Sequence, residues 1–168
     1  MATTSLQGTP CHTNGNLPGL GNPSPHFCVV NGKLEEVCLD QMGDNNKLIY
    51  FVPSLDTHLC AITSKALNEM AADLKNTDCY VISADLPFAQ QRFCKQNKLK
   101  NITPLSLMQS KQCAEDFGVL LIDGPLKTLT ARAVFILDSS NNIIYEQLTD
   151  DIASEPDFQA AISQLKGQ

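Results

Sequence analysis

The chain has 168 residues and a mass of 18.3 kDa, which is enough for one domain with a substantial core. Hydrophobic residues make up 43% of the sequence, which excludes a disordered protein. The net charge of −6 argues against nucleic acid or an anionic membrane as the main partner, because both require basic patches. No apolar run is as long as a membrane-spanning helix, which needs about 18 residues. The N-terminus has neither the charged nor the apolar part of a signal peptide, so we expect a cytoplasmic protein.

The cysteines are irregularly spaced and odd in number, unlike the disulfide framework of a secreted protein. Reactive, metal-binding and merely buried thiols remain as alternatives. Zinc sites normally combine two short ligand pairs, whereas His58-x-Cys60 stands alone, and no Cys-x-x-Cys pair is present. The sequence therefore predicts no metal site and no cofactor. The seven cysteines are Cys11, Cys28, Cys38, Cys60, Cys79, Cys94 and Cys113.

The N-terminal part of the chain is predicted to form two hairpins separated by a loop. Residues 3–13 can fold around Gln7-Gly8, and residues 14–25 are a loop rich in glycine and proline. The apolar runs 27–30 and 36–39 flank Asn31-Gly32, a dipeptide typical of hairpin turns.

A strand, a helix and a second strand follow. Residues 48–52 are a continuous apolar run, as in a central strand that is covered on both faces. After Cys60, apolar residues recur at the spacing of one helix face, and a second inner strand follows at residues 79–83. This order predicts a right-handed parallel crossover. The apolar stripe consists of Leu67, Met70, Ala71 and Leu74.

The remaining elements complete an α/β fold. Residues 110–117 are predicted as a helix closed by Gly118, and residues 131–137 and 143–147 as two strands. Ser154 is predicted to cap the last helix. The whole order predicts a single domain of residues 1–168, with a mixed central sheet flanked by helices. Residues 1–25 form its N-terminal hairpin and loop extension.

Cys60 is placed where a strand ends and a helix begins, in the segment Pro53-Ser-Leu-Asp-Thr57-His-Leu-Cys60. If Asp56 or Thr57 is the N-cap, Cys60 lies in the first helical turn. The free N–H groups and the helix dipole there favour a reactive thiolate. The Thr57 hydroxyl can donate to that thiolate or to an incoming oxygen. Alternatively, Cys60 is a small apolar residue that packs the helix start.

Two other residues each allow two interpretations. Cys94 follows a segment whose Pro87 and polar residues predict a surface turn and short helix, so its thiol would be accessible. It can attack a sulfenic acid to form a disulfide, or it is an unrelated exposed cysteine. Arg132 lies in an otherwise apolar strand. Its guanidinium can stabilise a thiolate and polarise a bound oxygen, or it reaches water from an edge position.

Three segments together resemble the thiol peroxidase family, the atypical two-cysteine peroxiredoxins of bacteria. The first is Pro53-x-x-x-Thr57-x-x-Cys60. The second is Ser83-Ala-Asp-Leu-Pro-Phe-Ala-Gln-x-Arg-Phe-Cys94. The third is Asp123-Gly-Pro-Leu-Lys-x-Leu-x-Ala-Arg132-Ala. The resemblance extends from about the N-terminal hairpin to the last helix.

The resemblance implies a thioredoxin-like fold with an N-terminal β-hairpin extension. Cys60 would be the peroxidatic cysteine and Cys94 the resolving one, joined in an intramolecular disulfide during turnover. Thr57 and Arg132 would orient and polarise the peroxide, and Pro53 would shield the pocket. Family members are usually homodimers that thioredoxin reduces, and they tend to favour alkyl hydroperoxides over hydrogen peroxide. A peroxide sensor that passes its disulfide to a partner would use the same cysteines, so the sequence leaves that alternative open.

The chain also departs from the family pattern. Lys65 stands where the family typically has an arginine, and Leu67 where it often has a phenylalanine. The smaller leucine side chain is expected to enlarge a pocket. Among the other cysteines, those at 28, 38 and 79 are expected in the core, and Cys11 and Cys113 at the surface. A disulfide needs Cα atoms within about 7 Å. We predict that Cys60 and Cys94 are farther apart in the reduced fold and that local unwinding precedes their bonding.

Overall fold

A computed structural model describes residues 1–166 of the chain. The predicted domain also includes residues 167 and 168, which lie outside the described range. The strands are β1 (Thr3–Leu6), β2 (Thr9–His12), β3 (Cys28–Val30), β4 (Glu36–Cys38), β5 (Asn46–Phe51), β6 (Thr77–Ser83), β7 (Thr103–Ser106), β8 (Ala133–Leu137) and β9 (Ile143–Leu148). The helices are α1 (His58–Ala71), α2 (Pro87–Gln96), α3 (Gln112–Asp116) and α4 (Phe158–Leu165), with a 3-10 turn at Leu39–Gln41.

Seven strands form one mixed sheet in the order β4-β3-β7-β6-β5-β8-β9. The parallel pairing predicted for the crossover is confirmed, because β5 and β6 pair in parallel and α1 connects them. Strands β6 and β7 are also parallel, whereas β8 pairs antiparallel with both β5 and β9. The sequence did not predict β7, whose second residue is Pro104. The predicted N-terminal hairpin is a separate two-stranded sheet of β1 and β2.

Alternation along the central strand divides the core between two faces of the sheet. Ile49 and Phe51 pack in one apolar cluster with Phe117 and Phe135. Leu48, Tyr50 and Val52 point the other way, into a cluster that also contains Cys60 of α1 and Phe158 of α4. The residues from Leu48 to Val52 have no exposed surface, as the apolar run predicts. The face that carries Tyr50 is therefore also the face against which α1 packs.

The end of α3 is closed by Gly118, as predicted. Its φ of +71° is a left-handed conformation that glycine adopts readily. A Cβ at this position would lie 2.1 Å from the carbonyl oxygen of Asn16. Gly118 therefore also allows the N-terminal loop to pack closely on the end of α3.

The predicted start of the last helix is wrong. Asp157, not Ser154, is the N-cap, and its side chain accepts a hydrogen bond from the Ala160 N–H. Both residue types are good caps, so the sequence pattern did not discriminate between them. No helix within residues 1–166 has the length and hydropathy needed to cross a membrane.

Candidate active site

Cys60 occupies the first turn of α1, three residues after the N-cap. The N-cap is Thr57, whose hydroxyl oxygen accepts a hydrogen bond from the Cys60 N–H at 3.2 Å. The same hydroxyl donates to the Ser54 carbonyl at 3.3 Å. Thr57 therefore fixes the backbone on both sides of the turn. Its bond with the Cys60 N–H also satisfies one of the free N–H groups of the helix start. Thr57 is exposed, whereas Cys60 has no exposed surface.

Arg132 reaches Cys60 across the interior from the residue before β8. Its Nη2 donates to Cys60 Sγ at 3.1 Å, Nη1 donates to Tyr50 Oη at 2.6 Å, and Nε donates to the Ile152 carbonyl at 2.8 Å. The side chain is 2% exposed, which rules out the interpretation that it reaches water from an edge. Three satisfied donors explain how a guanidinium is accommodated at this depth.

The charge of Arg132 survives its burial. Burial lowers the pKa of the guanidinium, but the interactions with Tyr50 and Cys60 outweigh that effect and raise the pKa above its ordinary value. The side chain is therefore a cation at neutral pH. A hydrogen bond from a cation to a thiolate is stronger than one to a neutral thiol, so the arrangement is complementary to negative charge on the sulfur.

Tyr50 is a site residue that the sequence interpretation missed. Burial, partly offset by Arg132, raises the pKa of Tyr50 to about 12, so its hydroxyl stays protonated. It accepts from Arg132 and lies 2.9 Å from Thr63 Oγ1. Because the Thr63 hydroxyl donates to the Leu59 carbonyl at 2.9 Å, the tyrosine proton is directed to Thr63. A buried tyrosine needs a polar partner, and Tyr50 within an apolar run was the signal available.

The N-terminal hairpin supports the segment that positions Arg132. Thr4 Oγ1 donates to the Thr149 carbonyl at 2.7 Å, and the Ile152 N–H donates to the Ser5 carbonyl at 2.7 Å. Hydrogen bonds to Asp151 from the backbone of Ala153 and Gly8, and from Ser5, lower the pKa of its carboxyl to about 2. The hairpin therefore holds the loop whose Ile152 carbonyl accepts from the guanidinium.

Asp85 links the loop before Cys60 to the start of α2. Its carboxylate accepts from the Ser54 hydroxyl at 2.6 Å, the Leu55 N–H at 2.7 Å and the Ser83 hydroxyl at 2.8 Å. Its carbonyl accepts from the Ser106 hydroxyl at 2.6 Å. Pro53, directly before Ser54, is buried. This network holds together the segments that precede Cys60 and Cys94.

Cys94 lies in the last turns of α2, and the expectation that it is accessible is wrong. Its relative exposure is 9%, and burial raises the pKa of its thiol to about 11. Cys60 and Cys94 belong to the same apolar cluster, and both thiols are free. The predicted short helix is present as α2, but the side of this helix that carries Cys94 faces the core rather than solvent.

The disulfide in the structure joins two other cysteines. Cys28 and Cys38 are bonded across β3 and β4 and are half-buried, whereas the sequence predicted both in the core. A two-residue turn at Asn31-Gly32 would have paired Cys28 with residue 35. The hairpin instead has a longer connection, in which Asn31 Oδ1 accepts from the N–H groups of Lys33 and Glu35. This connection sets the register that places Cys28 opposite Cys38.

The structure also shows the burial of the remaining cysteines and of the two residues that depart from the family pattern. Cys11 and Cys113 are buried, contrary to the expectation of exposure, and Cys79 is buried as expected. Lys65 is exposed on α1, and Leu67 is completely buried in the cluster that contains Cys60. Leu67 therefore fills core volume.

Comparisons with known proteins agree with this geometry. Residues 20–162 match the Redoxin family. The chain is 41% identical over 165 residues to the thiol peroxidase of Corynebacterium glutamicum, covering 98% of this chain and 99% of that protein.

Solved structures show the same fold. A peroxiredoxin-like protein from Aquifex aeolicus superposes with a TM-score of 0.93 at 36% identity, covering 99% of this chain and 97% of the other. The thiol peroxidase from Chromobacterium violaceum has a TM-score of 0.91 at 22% identity, covering 98% and 95%. The thioredoxin-like fold of the peroxiredoxins is thereby confirmed. By its sequence and its fold, this chain belongs to the redoxin family and, within that family, to the peroxidase enzymes called thiol peroxidases.

Proposed function

We propose that this enzyme reduces hydroperoxides, both alkyl hydroperoxides and hydrogen peroxide, at Cys60. In this proposal Cys60 then forms an intramolecular disulfide with Cys94, which thioredoxin or a similar dithiol protein reduces. The observation that carries the proposal is the hydrogen bond from Arg132 Nη2 to Cys60 Sγ in the first turn of a helix. Among the cysteines, Cys60 is the one that combines a helix N-terminus with a buried cation.

In the first step the Cys60 thiolate attacks one oxygen of the peroxide and the O–O bond breaks. The sulfur is oxidised by two electrons to a sulfenic acid, and the second oxygen leaves as an alcohol or water after taking a proton. Arg132 stabilises the charge that develops on the oxygens, since its donors are already oriented by Tyr50 and Ile152. Thr57 holds the helix start in place and orients the peroxide, and the buried Pro53 shields the pocket from water.

Access to Cys60 requires a local movement. The residue has no exposed surface, so a peroxide reaches its sulfur only when the loop before α1 or its first turn shifts. Thr57 is exposed at the edge of this turn, and its cap hydrogen bond is one of the contacts that would open. We therefore assign the Thr57 turn as the route by which the substrate enters.

In the second step the Cys94 thiol attacks the sulfenic acid, the S–O bond breaks and one water leaves. Cys94 is buried in α2 and its pKa is about 11, so the folded helix holds it as a thiol. Unwinding of the end of α2 would expose the sulfur and return its pKa toward the ordinary value. We propose that this unwinding is an obligatory step of the cycle.

Reduction of the disulfide requires an external dithiol protein. A reducing compartment such as the cytoplasm supplies one. Cys94 lines a surface cleft of about 420 Å³ together with Lys95, Lys98 and Lys100, and we propose that the reductant docks there once the end of α2 has unwound. We further propose a homodimer, because Leu86 and Phe88 expose large apolar surfaces at the start of α2.

Peptide mapping after a single oxidation tests the cycle. The reduced C28S–C38S variant receives one equivalent of cumene hydroperoxide, the remaining thiols are alkylated, and the peptides are mapped by mass spectrometry. We expect a Cys60–Cys94 disulfide with Cys11, Cys79 and Cys113 alkylated. Alkylated Cys60 would contradict the peroxidase assignment, and a stable sulfenic acid on Cys60 would remove Cys94 from its role. The C60S variant is the matched control and should form no disulfide.

Turnover with thioredoxin separates an enzyme from a sensor. A catalytic peroxidase consumes many equivalents of hydroperoxide per chain while thioredoxin and its reductase are supplied. A sensor stops after one equivalent unless its own partner protein is added. The C94S variant distinguishes the two thiols, because it should still consume the first equivalent at the parent rate.

A further inference from the structure

A second cluster of ligating side chains lies on the hairpin of β3 and β4. Cys28 Sγ lies 3.8 Å from His26 Nε2, and Cys38 Sγ lies 3.9 Å from Glu36 Oε1. One ligand atom from each of His26, Cys28 and Cys38 falls within 4.8 Å of the others. Both cysteines are half-buried, and His26 and Glu36 are exposed. None of these side chains contributes to the contacts around Cys60.

Strand geometry explains why these side chains meet. Glu36 and Cys38 are two residues apart on β4, so their side chains lie on the same side of that strand. His26 lies two residues before the first residue of β3, and its imidazole reaches the sulfur of Cys28. The register then places Cys28 directly opposite Cys38. The hairpin therefore holds two sulfurs side by side, with an imidazole at one flank and a carboxylate at the other.

We propose that reduction of the Cys28–Cys38 disulfide creates a binding site for one Zn²⁺ ion, held by the two thiolates and His26. These are the ligand types that zinc prefers, at about 2.3 Å from sulfur and about 2.0 Å from nitrogen. The fourth position of the tetrahedron is taken by Glu36 or by water. Since the three ligand atoms already lie close together, side-chain rotation suffices to form the site.

The oxidation state of the two sulfurs controls the site. A thiolate is a metal ligand, whereas the sulfurs of a disulfide carry no charge to attract a cation. A dithiol opens the site by attacking one sulfur, forming a mixed disulfide and leaving as its own cyclic disulfide while both protein sulfurs gain a hydrogen. Zinc binding then displaces the two thiol protons. A cavity of about 280 Å³ lined by Cys28, His26 and Glu36 gives the reductant access.

The site would join β3 and β4 in both redox states. Within residues 1–166, strand β4 is the edge of the sheet and pairs only with β3. The disulfide joins the two strands when the protein is oxidised, and the metal joins the same two residues when it is reduced. The hairpin therefore keeps its covalent or coordinate link while the thiol chemistry around it changes.

Metal titration of the full-length C60S–C94S variant tests the proposal, because that background removes the proposed redox thiols. The variant is reduced, freed of reductant without oxygen, and titrated with Co²⁺ and then Zn²⁺. We expect one metal ion per chain and a sulfur-to-cobalt charge-transfer band that Zn²⁺ abolishes. The same protein with its disulfide intact should show neither.

Ligand variants in the same background identify the residues. Adding C28S–C38S should abolish the charge-transfer band, and H26A should weaken Zn²⁺ binding at least tenfold. H58A is the matched control and should bind Zn²⁺ as tightly as the parent, because His58 lies on α1. The proposal is overturned if the reduced parent binds no more metal than C28S–C38S, or if H26A binds as tightly as H58A. Circular dichroism of each variant confirms that it is folded.

Discussion

Arg132 Nη2 lies 3.1 Å from Cys60 Sγ, and both side chains are buried in the same interior. A guanidinium at this depth is tolerated because all three of its donating nitrogens have acceptors. Two of the acceptors, Tyr50 and Ile152, are held by other parts of the fold. The positive charge is therefore oriented toward the sulfur before any peroxide arrives, which is the condition for strong electrostatic catalysis.

Replacing Arg132 by lysine should slow the oxidation of Cys60 by about 10²-fold. Lysine keeps the charge, but its single ammonium cannot reach Cys60, Tyr50 and Ile152 together. Stopped-flow measurement with cumene hydroperoxide gives the rate. A rate equal to that of the parent would show that a positive charge alone is sufficient for fast oxidation of Cys60 and that the three donors of the guanidinium are not required.

Replacing Tyr50 by phenylalanine should lower the free energy of unfolding by about 1–3 kcal/mol, because a buried Arg132 donor loses its acceptor. The peroxide rate should also fall, though less than in R132K, since Nη2 keeps its contact with the sulfur. Urea unfolding and stopped-flow kinetics measure the two effects. Tyr80 of β6, which packs on the other face of the sheet, supplies the control, and Y80F should keep the parent rate.

Two substitutions at Thr57 distinguish the role of its hydroxyl group from that of its side-chain shape. T57V removes the hydroxyl that accepts from the Cys60 N–H and should destabilise the helix start by about 1 kcal/mol. T57S retains the hydroxyl and should retain most of the peroxidase rate. If T57V and T57S are equally active, the hydroxyl has no role in the reaction.

Removing the charge of Asp85 should destabilise the two segments that precede Cys60 and Cys94. In D85N the Ser54, Leu55 and Ser83 donors lose a carboxylate, which costs about 2 kcal/mol of stability. Because opening then costs less, we expect the Cys60–Cys94 disulfide to form faster after oxidation of Cys60. Rapid quenching and alkylation follow its formation. D73N, at an exposed position, is the control, and slower disulfide formation in D85N would contradict this expectation.

The buried Cys94 thiol predicts a loss of stability at high pH. Burial raises its pKa from 9.0 to about 11, so between these values the folded state keeps a proton that the unfolded state releases. This contribution to stability is complete below pH 9 and is lost as the pH rises to about 11. The loss amounts to about 2–3 kcal/mol. Urea unfolding of the parent and C94A measures it, because C94A lacks this part of the pH dependence; parallel curves would refute the prediction.

Local features of this chain follow from residues that are close in sequence. The apolar run at residues 48–52 specifies a strand covered on both faces, and Thr57 specifies the helix start three residues before Cys60. The β-α-β crossover and the closure of α3 at Gly118 were also predicted. The strands, the helix start and the Gly118 closure are each specified by residues a few positions apart, and the crossover follows from the order of strand, helix and strand.

The tertiary structure alone decided which distant side chains meet. Tyr50 became part of the site because strand alternation directs it toward α1, and Arg132 is satisfied by acceptors from three separate segments. The connection between β3 and β4 set the register that bonded Cys28 to Cys38. Burial of Cys94 likewise depends on what α2 packs against. Pairing, register and burial are properties of contacts between segments far apart in the chain, and no local pattern encodes them.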